Sequence, residues 1–97
     1  MPKYEKIAQE EVSNKITELK DWTLKDGKLH KSWKTKDFKE AFSQITQIAL
    51  KAEQMNHHPE WFNVYNRVNV TLSTHDVGGL SMLDVKLAQK MDQLAGE

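Results

Sequence analysis

The chain has 97 residues with 14 basic and 14 acidic side chains, so its formal net charge is zero. This balance argues against a general affinity for nucleic acid, which needs clustered Lys and Arg, and the absence of cysteine excludes disulfides and thiolate metal sites. The length fits a single domain over residues 1–97, and since it shows neither a signal-like segment nor a long apolar run, we expect a cytoplasmic protein that does not enter the membrane.

A short helix is predicted near the N-terminus, over roughly residues 8–19. Val12, Ile16 and Leu19 fall on one face there, at the spacing of an amphipathic helix. Residues 1–6 precede this pattern and are expected to be loosely ordered.

A β-hairpin is predicted after the first helix. Apolar and polar residues alternate over residues 22–24, and a second strand covers residues 29–34. Asp26 and Gly27, between the strands, are the strongest turn signal in the sequence, because glycine adopts positive φ at little steric cost. The Lys-rich stretch 25–39 is interpreted as a solvated face of this hairpin.

The most clearly marked element is a long helix that begins after Asp37. Asp37 and Glu40 form a capping-box pattern, with Asp in the place of Ser or Thr. Two adjacent apolar stripes follow, one of Phe38, Phe42, Ile45, Ala49 and Ala52, the other of Ala41, Ile45, Ile48, Ala52 and Met55. One stripe is enough to pack a helix on a sheet. The second indicates either another covering surface, such as a neighbouring subunit, or a single deeply buried helix, and the sequence leaves both open.

A second hairpin is predicted after Pro59, which ends the helix because the residue before a proline avoids the helical region. Its strands cover residues 61–65 and 67–74, and the second strand alternates apolar and polar side chains. The apolar positions of that strand are Val68, Val70 and Leu72.

A last helix is predicted after a turn at Gly78 and Gly79. Ser81 and Asp84 form a second capping box there. Its predicted buried stripe contains Leu87, Ala88, Met91, Leu94 and Ala95. The order α-β-β-α-β-β-α predicts a two-layer α+β domain, in which three helices cover one face of a four-stranded antiparallel sheet. A free edge strand could pair with a second copy of the chain.

Three of the four histidines are candidates for a functional site. His57 and His58 lie between the long helix and the second hairpin, and His75 follows the last strand, so both segments could meet at one end of the domain. Because imidazole titrates near neutrality, such a cluster could supply an acid and a base. The alternatives are a plain helix end with cations near its C-terminus, or a zinc site that includes Glu53. His30 is interpreted as a surface residue.

Other candidates have simple structural explanations. Asp84 fits a helix cap, Trp61 and Phe62 fit core or hairpin packing, and Glu53 fits a solvated helix position. The sequence contains no Ser-His-Asp order, glycine-rich phosphate loop or dinucleotide motif.

Three motifs mark the second half of the chain: AEQMNHHPEWFNVYN at residues 52–66, LSTHD at 72–76 and GLSxxD at 79–84. Together they resemble the pterin-4a-carbinolamine dehydratase family, over about residues 22–94. The resemblance implies the fold described above, with dimers formed by joining sheets and tetramers formed through the long helix. It also implies removal of water from 4a-hydroxytetrahydropterin to give quinonoid dihydropterin, with pterin as the substrate and without a metal or organic cofactor.

The resemblance also implies roles for individual residues. His57 and His75 would carry out acid–base chemistry, and His58 would orient the ring or share a proton. Supporting positions would be Glu53, Trp61 and Asp84, and the substrate would contact Asn56, His57, His58, Pro59, Ser73, Thr74, His75 and Asp76. Two positions differ from the animal members of the family. This chain has Asn56 where those proteins often have Asp, and Leu83 where they often have Arg.

The sequence leaves two other functions open. The animal members of the family that this chain resembles are also known as a dimerisation cofactor of a homeodomain transcription factor. The chain could therefore be a non-catalytic dimeric binding module or coactivator. The sequence indicates no particular partner. It could also be a pterin binder without turnover. The intact histidines favour catalysis, because an adaptor does not need them.

Overall fold

A computed structural model describes residues 5–94 of the chain. The elements are α1 (Gln9–Ile16), β1 (Thr23–Lys25), β2 (Lys28–Lys34), α2 (Phe38–Met55), β3 (Glu60–Val64), β4 (Arg67–Leu72), a 3-10 turn (His75–Val77) and α3 (Met82–Leu94). The predicted order and the α+β class are confirmed. The expectations for residues 1–4 and for Ala95 lie outside the described residues. None of the helices within residues 5–94 is long and apolar enough to span a bilayer.

The four strands form one antiparallel sheet in the order β1-β2-β4-β3. Because side chains alternate between the two faces of a strand, Val68, Val70 and Leu72 of β4 point together and are buried. They join the helical residues of a single core, so the helices pack on this inner face. The predicted alternation in the last strand is therefore confirmed.

Tight turns connect the strands of both hairpins. Asp26 and Gly27 have φ angles of 54° and 75°, as a two-residue hairpin turn requires, so the predicted turn is confirmed. The other hairpin turns at Tyr65, whose φ is 51°.

The long helix α2 begins at its predicted cap and ends at Met55, where Asn56, and not Pro59, forms the C-cap. A carboxylate oxygen of Asp37 accepts a hydrogen bond from the backbone N–H of Glu40 at 2.9 Å. One stripe, including Ala41 and Ile48, packs in the core. In the other stripe, Ala52 is buried and Ile45 packs against the core, whereas Phe38 and Phe42 are 48% and 52% exposed and are left uncovered by residues 5–94. The alternative of a single deeply buried helix is therefore wrong for this chain taken alone.

The helices α1 and α3 differ in how closely they follow the sequence pattern. Helix α1 ends at Ile16, earlier than predicted, and Leu19 packs on the core from the following turn. At α3, the N–H of Ser81 donates to Asp84 at 3.0 Å, and the hydroxyl of Ser81 accepts from the N–H of Leu83 at 3.2 Å. The predicted capping box is therefore confirmed, with its hydroxyl bonded one residue earlier than in the usual pattern.

A buried ion pair contradicts the interpretation of residues 25–39 as a solvated face. Lys31 is 5% exposed and Asp92 is 8% exposed, and their charged groups are 2.9 Å apart. The reason is the strand period: Lys31 lies between Leu29 and Trp33 on β2, so it shares their inward direction. His30 points to the other face, half-buried, and its Nδ1 lies 2.8 Å from the hydroxyl of Thr71.

Candidate active site

The end of α2 determines where His57 points. Asn56 adopts the left-handed conformation, with φ 51° and ψ 42°, which Asn tolerates better than most residues. The N–H of the next residue, His57, donates back to the carbonyl of Ala52 at 3.0 Å. This closed helix end turns the His57 side chain inward, where the residue is 8% exposed.

Asp84 connects the two segments that carry the histidines. Its carboxylate is fully buried, and Oδ1 lies 2.5 Å from Nε2 of His57. Its other oxygen, Oδ2, accepts from the Thr74 hydroxyl at 2.6 Å and from the N–H of Ser81 at 3.0 Å. Since Thr74 directly precedes His75, the segments around His57 and His75 meet at Asp84.

The contact with Asp84 also determines which nitrogen of His57 is available. Because a carboxylate can only accept hydrogen bonds, Nε2 of His57 carries a proton when Asp84 is ionised. Nδ1 makes no hydrogen bond to the described residues. Every buried side-chain nitrogen or oxygen in that part of the chain has a partner, so Nδ1 must be reachable by solvent. A neutral His57 held in this way presents Nδ1 as a proton acceptor.

His58 lies in a different environment from its neighbour. Its ring is exposed, and Nε2 lies 2.7 Å from Oε1 of Glu53, whose side chain is exposed as well. Glu53 is therefore the carboxylate beside His58, and Asp84 is the carboxylate beside His57. Two adjacent imidazoles are thus oriented by two different acids, one buried and one in solvent.

His75 is exposed at the start of the 3-10 turn. It lines a cavity of about 710 Å³ together with Ser73, Thr74 and Leu80. Neither His57 nor His58 lines this cavity. Thr74 connects this cavity with the His57–Asp84 pair, because it lines the cavity and its hydroxyl donates a hydrogen bond to Asp84. The volume falls within the range of small-molecule sites.

The remaining predicted site residues lie around these groups. Asn56 and Asp76 are exposed, Pro59 is half-buried, and Trp61 packs against the core from β3. Two contacts of the Thr74 hydroxyl were not predicted from the sequence: its hydrogen bond to Asp84 and its 2.8 Å contact with the hydroxyl of Ser81. No local pattern marks Thr74 as a partner of Asp84, since the Gly78 and Gly79 turn separates them along the chain.

The family model for pterin 4 alpha carbinolamine dehydratase matches residues 5–94. The chain belongs to this family. Dehydratase family members from two bacteria are about half identical to it, and their names are provisional. The one from Solibacter usitatus is 50% identical over 90 residues, covering 93% of this chain and 95% of its own. The one from Sinorhizobium fredii is 54% identical over 93 residues, covering 94% and 89%.

A solved structure extends the similarity to the fold. The crystal structure of a protein from Brucella melitensis, described as a transcriptional coactivator/pterin dehydratase, matches with a TM-score of 0.91 and 44% identity. The match covers 94% of this chain and 99% of that one. The present chain therefore shares its fold with the Brucella melitensis protein over nearly the whole length of both.

Within residues 5–94, no three His, Cys, Asp or Glu side chains are grouped so that they could hold a metal ion. The two pairs described above each contain one imidazole and one carboxylate. In each pair it is Nε2 of the imidazole that faces the carboxylate.

Proposed function

We propose that this chain is a dehydratase that removes water from 4a-hydroxytetrahydropterin and gives quinonoid dihydropterin. The observation that carries the proposal is the buried His57–Asp84 pair, joined through Thr74 to the segment that bears His75. Membership of the pterin 4 alpha carbinolamine dehydratase family supports the substrate class. The physiological role would be to return tetrahydropterin cofactor to use after aromatic hydroxylation.

The reaction needs two proton transfers at neighbouring atoms of the pterin. A proton goes to the hydroxyl oxygen on C4a, the C4a–O bond breaks and water leaves. The proton on N5 goes to a base, and its bonding electrons form the C4a=N5 double bond. One proton is supplied and one is removed, so no oxidant, reductant or cofactor is required, and none is proposed.

The histidines have the properties that these transfers require. His57 and His75 are assigned to acid–base work, and each well-placed transfer contributes about 10²–10⁴-fold to the rate. His57 offers Nδ1 because Asp84 occupies Nε2. His58, held by Glu53, would orient the substrate ring or share a proton.

The substrate would lie against the two loops that meet at Asp84. Backbone groups of residues 56–58 and 73–76 are proposed to contact the pterin ring. The cavity beside His75 would provide room for part of the substrate, with buried apolar side chains such as Ile7 and Leu80 on its wall.

Direct assay of synthetic 4a-hydroxytetrahydropterin tests the proposal. We expect turnover that a metal chelator does not change, and we expect His75→Ala to lower it by about 10²-fold or more, the size of one lost proton transfer. His30→Ala is the matched control, because His30 lies on the opposite face of the sheet from the core. A near-normal rate in His75→Ala would remove His75 from the mechanism, and absence of turnover in the unchanged chain would contradict the proposed function.

A second candidate function is a coactivator-type binding module. It is favoured by the exposed Phe38 and Phe42, whose ring centroids are 5.6 Å apart on α2, and by the description of the Brucella melitensis protein. Pterin binding without turnover would favour a pterin binder. Absence of both pterin binding and turnover would favour the coactivator-type module.

A further inference from the structure

The ion pair between Lys31 and Asp92 has no part in the proposed chemistry. Lys31 comes from the middle of β2, and Asp92 comes from the last turns of α3. Nζ of Lys31 lies 2.9 Å from Oδ1 of Asp92, and 5.9 Å and 5.8 Å from the ring centroids of Trp22 and Trp33. Both side chains are almost completely buried.

A pair in this position is not explained by stability alone. Removing two charges from water has a large free-energy cost, and well-packed apolar residues of similar volume often stabilise a fold equally well. What an ion pair adds is direction, because hydrogen bonds weaken steeply when their geometry is lost. Apolar contacts do not distinguish small rotations in this way.

Asp92 is held by three donors from outside its own helix. Trp22 donates from Nε1 at 2.9 Å and Lys31 from Nζ at 2.9 Å, both to Oδ1, while the backbone N–H of Lys20 donates to Oδ2 at 3.0 Å. Asp84, near the other end of α3, is held by Thr74 and Ser81 and contacts His57. Helix α3 therefore has a directional contact near each end.

The positions of the Asp84 and Asp92 carboxylates restrict the orientation of α3 in the domain. They are eight residues apart, which corresponds to about 12 Å along the helix axis and about 80° around it. Two directional contacts that differ in both height and angle fix the rotation of a helix and its axial position together. The apolar side chains of α3, such as Val85, Leu87 and Met91, supply burial without that precision.

We infer that Lys31 and Asp92 are positioning residues for the active site: they fix α3 so that Asp84 meets His57 at hydrogen-bonding distance. The inference rests on the proposed function only for its effect on turnover. Its effect on the His57–Asp84 contact is independent of what the protein catalyses.

The test removes both charges of the pair at once, since breaking a buried ion pair at one side adds the cost of an uncompensated buried charge. In Lys31→Met/Asp92→Asn, the amide oxygen can still accept from Trp22. We expect this variant to fold and to turn over 4a-hydroxytetrahydropterin about tenfold more slowly, in kcat and not in KM, because a small misplacement of a catalytic group is costly. We also expect the downfield proton signal of the His57 ring N–H in NMR to shift or broaden. The matched control is Glu11→Gln/Lys15→Met, which removes a pair on α1 between a half-buried Lys and an exposed Glu, and it should change neither quantity.

An unchanged His57 proton signal and unchanged kcat in the folded double variant would overturn the inference. If the double variant does not fold, Lys31→Arg decides the matter, because it keeps the charge but changes the length and shape of the donor. A shifted His57 signal in that variant supports the positioning role, and an unchanged signal overturns it. If the unchanged chain has no turnover, the proposed function fails, while the NMR signal still decides the positioning role.

Discussion

Neighbouring side chains can be given different properties by the groups that face them. His57 and His58 are adjacent in the chain, yet His57 is buried against Asp84 and His58 is exposed beside Glu53. The buried contact fixes the ring and its free nitrogen, whereas the exposed pair is weakened by solvent. The difference comes from the left-handed backbone at Asn56, which turns one ring inward and leaves the other outside.

At the residue scale, we predict that Asp84→Asn lowers dehydration by about 10²-fold, because the orientation and the protonated nitrogen of His57 are no longer imposed. The free energy of unfolding should fall by about 1–3 kcal/mol as well, because buried donors lose acceptors. Steady-state kinetics and urea denaturation measure the two effects. Asp21→Asn, at an exposed loop position, is the matched control. Normal turnover in Asp84→Asn would show that the His57–Asp84 contact is not needed.

At the scale of elements, the end of α2 carries a second prediction. Because Asn56 has φ 51°, Asn56→Ala should lower the free energy of unfolding by about 1 kcal/mol, the cost of a left-handed conformation for an ordinary residue. Asn56→Gly should be close to neutral, since glycine adopts this conformation readily. Urea denaturation of the two variants measures the difference. Equal stability of the two variants would mean that the helix end relaxes into another conformation.

The elements were predictable from the sequence because their signals are local. The Asp26–Gly27 turn, the cap at Asp37 and the alternation around Val70 each depend on residues a few positions apart. The His57–Asp84 contact was not predictable in this way, since the partners are 27 positions apart and the cap at Ser81 already explained Asp84. Lys31 was misassigned because its residue type was given more weight than its place in the strand period.

At the scale of the whole molecule, the exposed Phe38 and Phe42 of α2 form a candidate surface for association. We propose that copies of the chain cover Phe38 and Phe42, as dimers or tetramers, since an exposed apolar patch commonly marks an interface. Light scattering should give a mass above the 11.3 kDa of one chain. Phe42→Glu should lower that mass, because it places a charge in the buried contact.

The matched control for this measurement is Thr17→Glu, which adds the same charge at an exposed position after α1. A mass of one chain at micromolar concentration for the unchanged protein would contradict association. An assembly unaffected by Phe42→Glu would place the interface elsewhere, for example on the exposed edge strand β3.

The contacts of Asp84 and Asp92 limit which insertions and deletions α3 can accept. Inserting or deleting one residue between Asp84 and Asp92 would turn one carboxylate by about 100° relative to the other, so only one of them could keep its partners. The same change in the turn between Lys25 and Lys28 would affect the hairpin but not this relation. Sequence length should therefore be held constant between residues 84 and 92 in any active variant, even where the identities of exposed residues such as Gln89 and Lys90 are free to change.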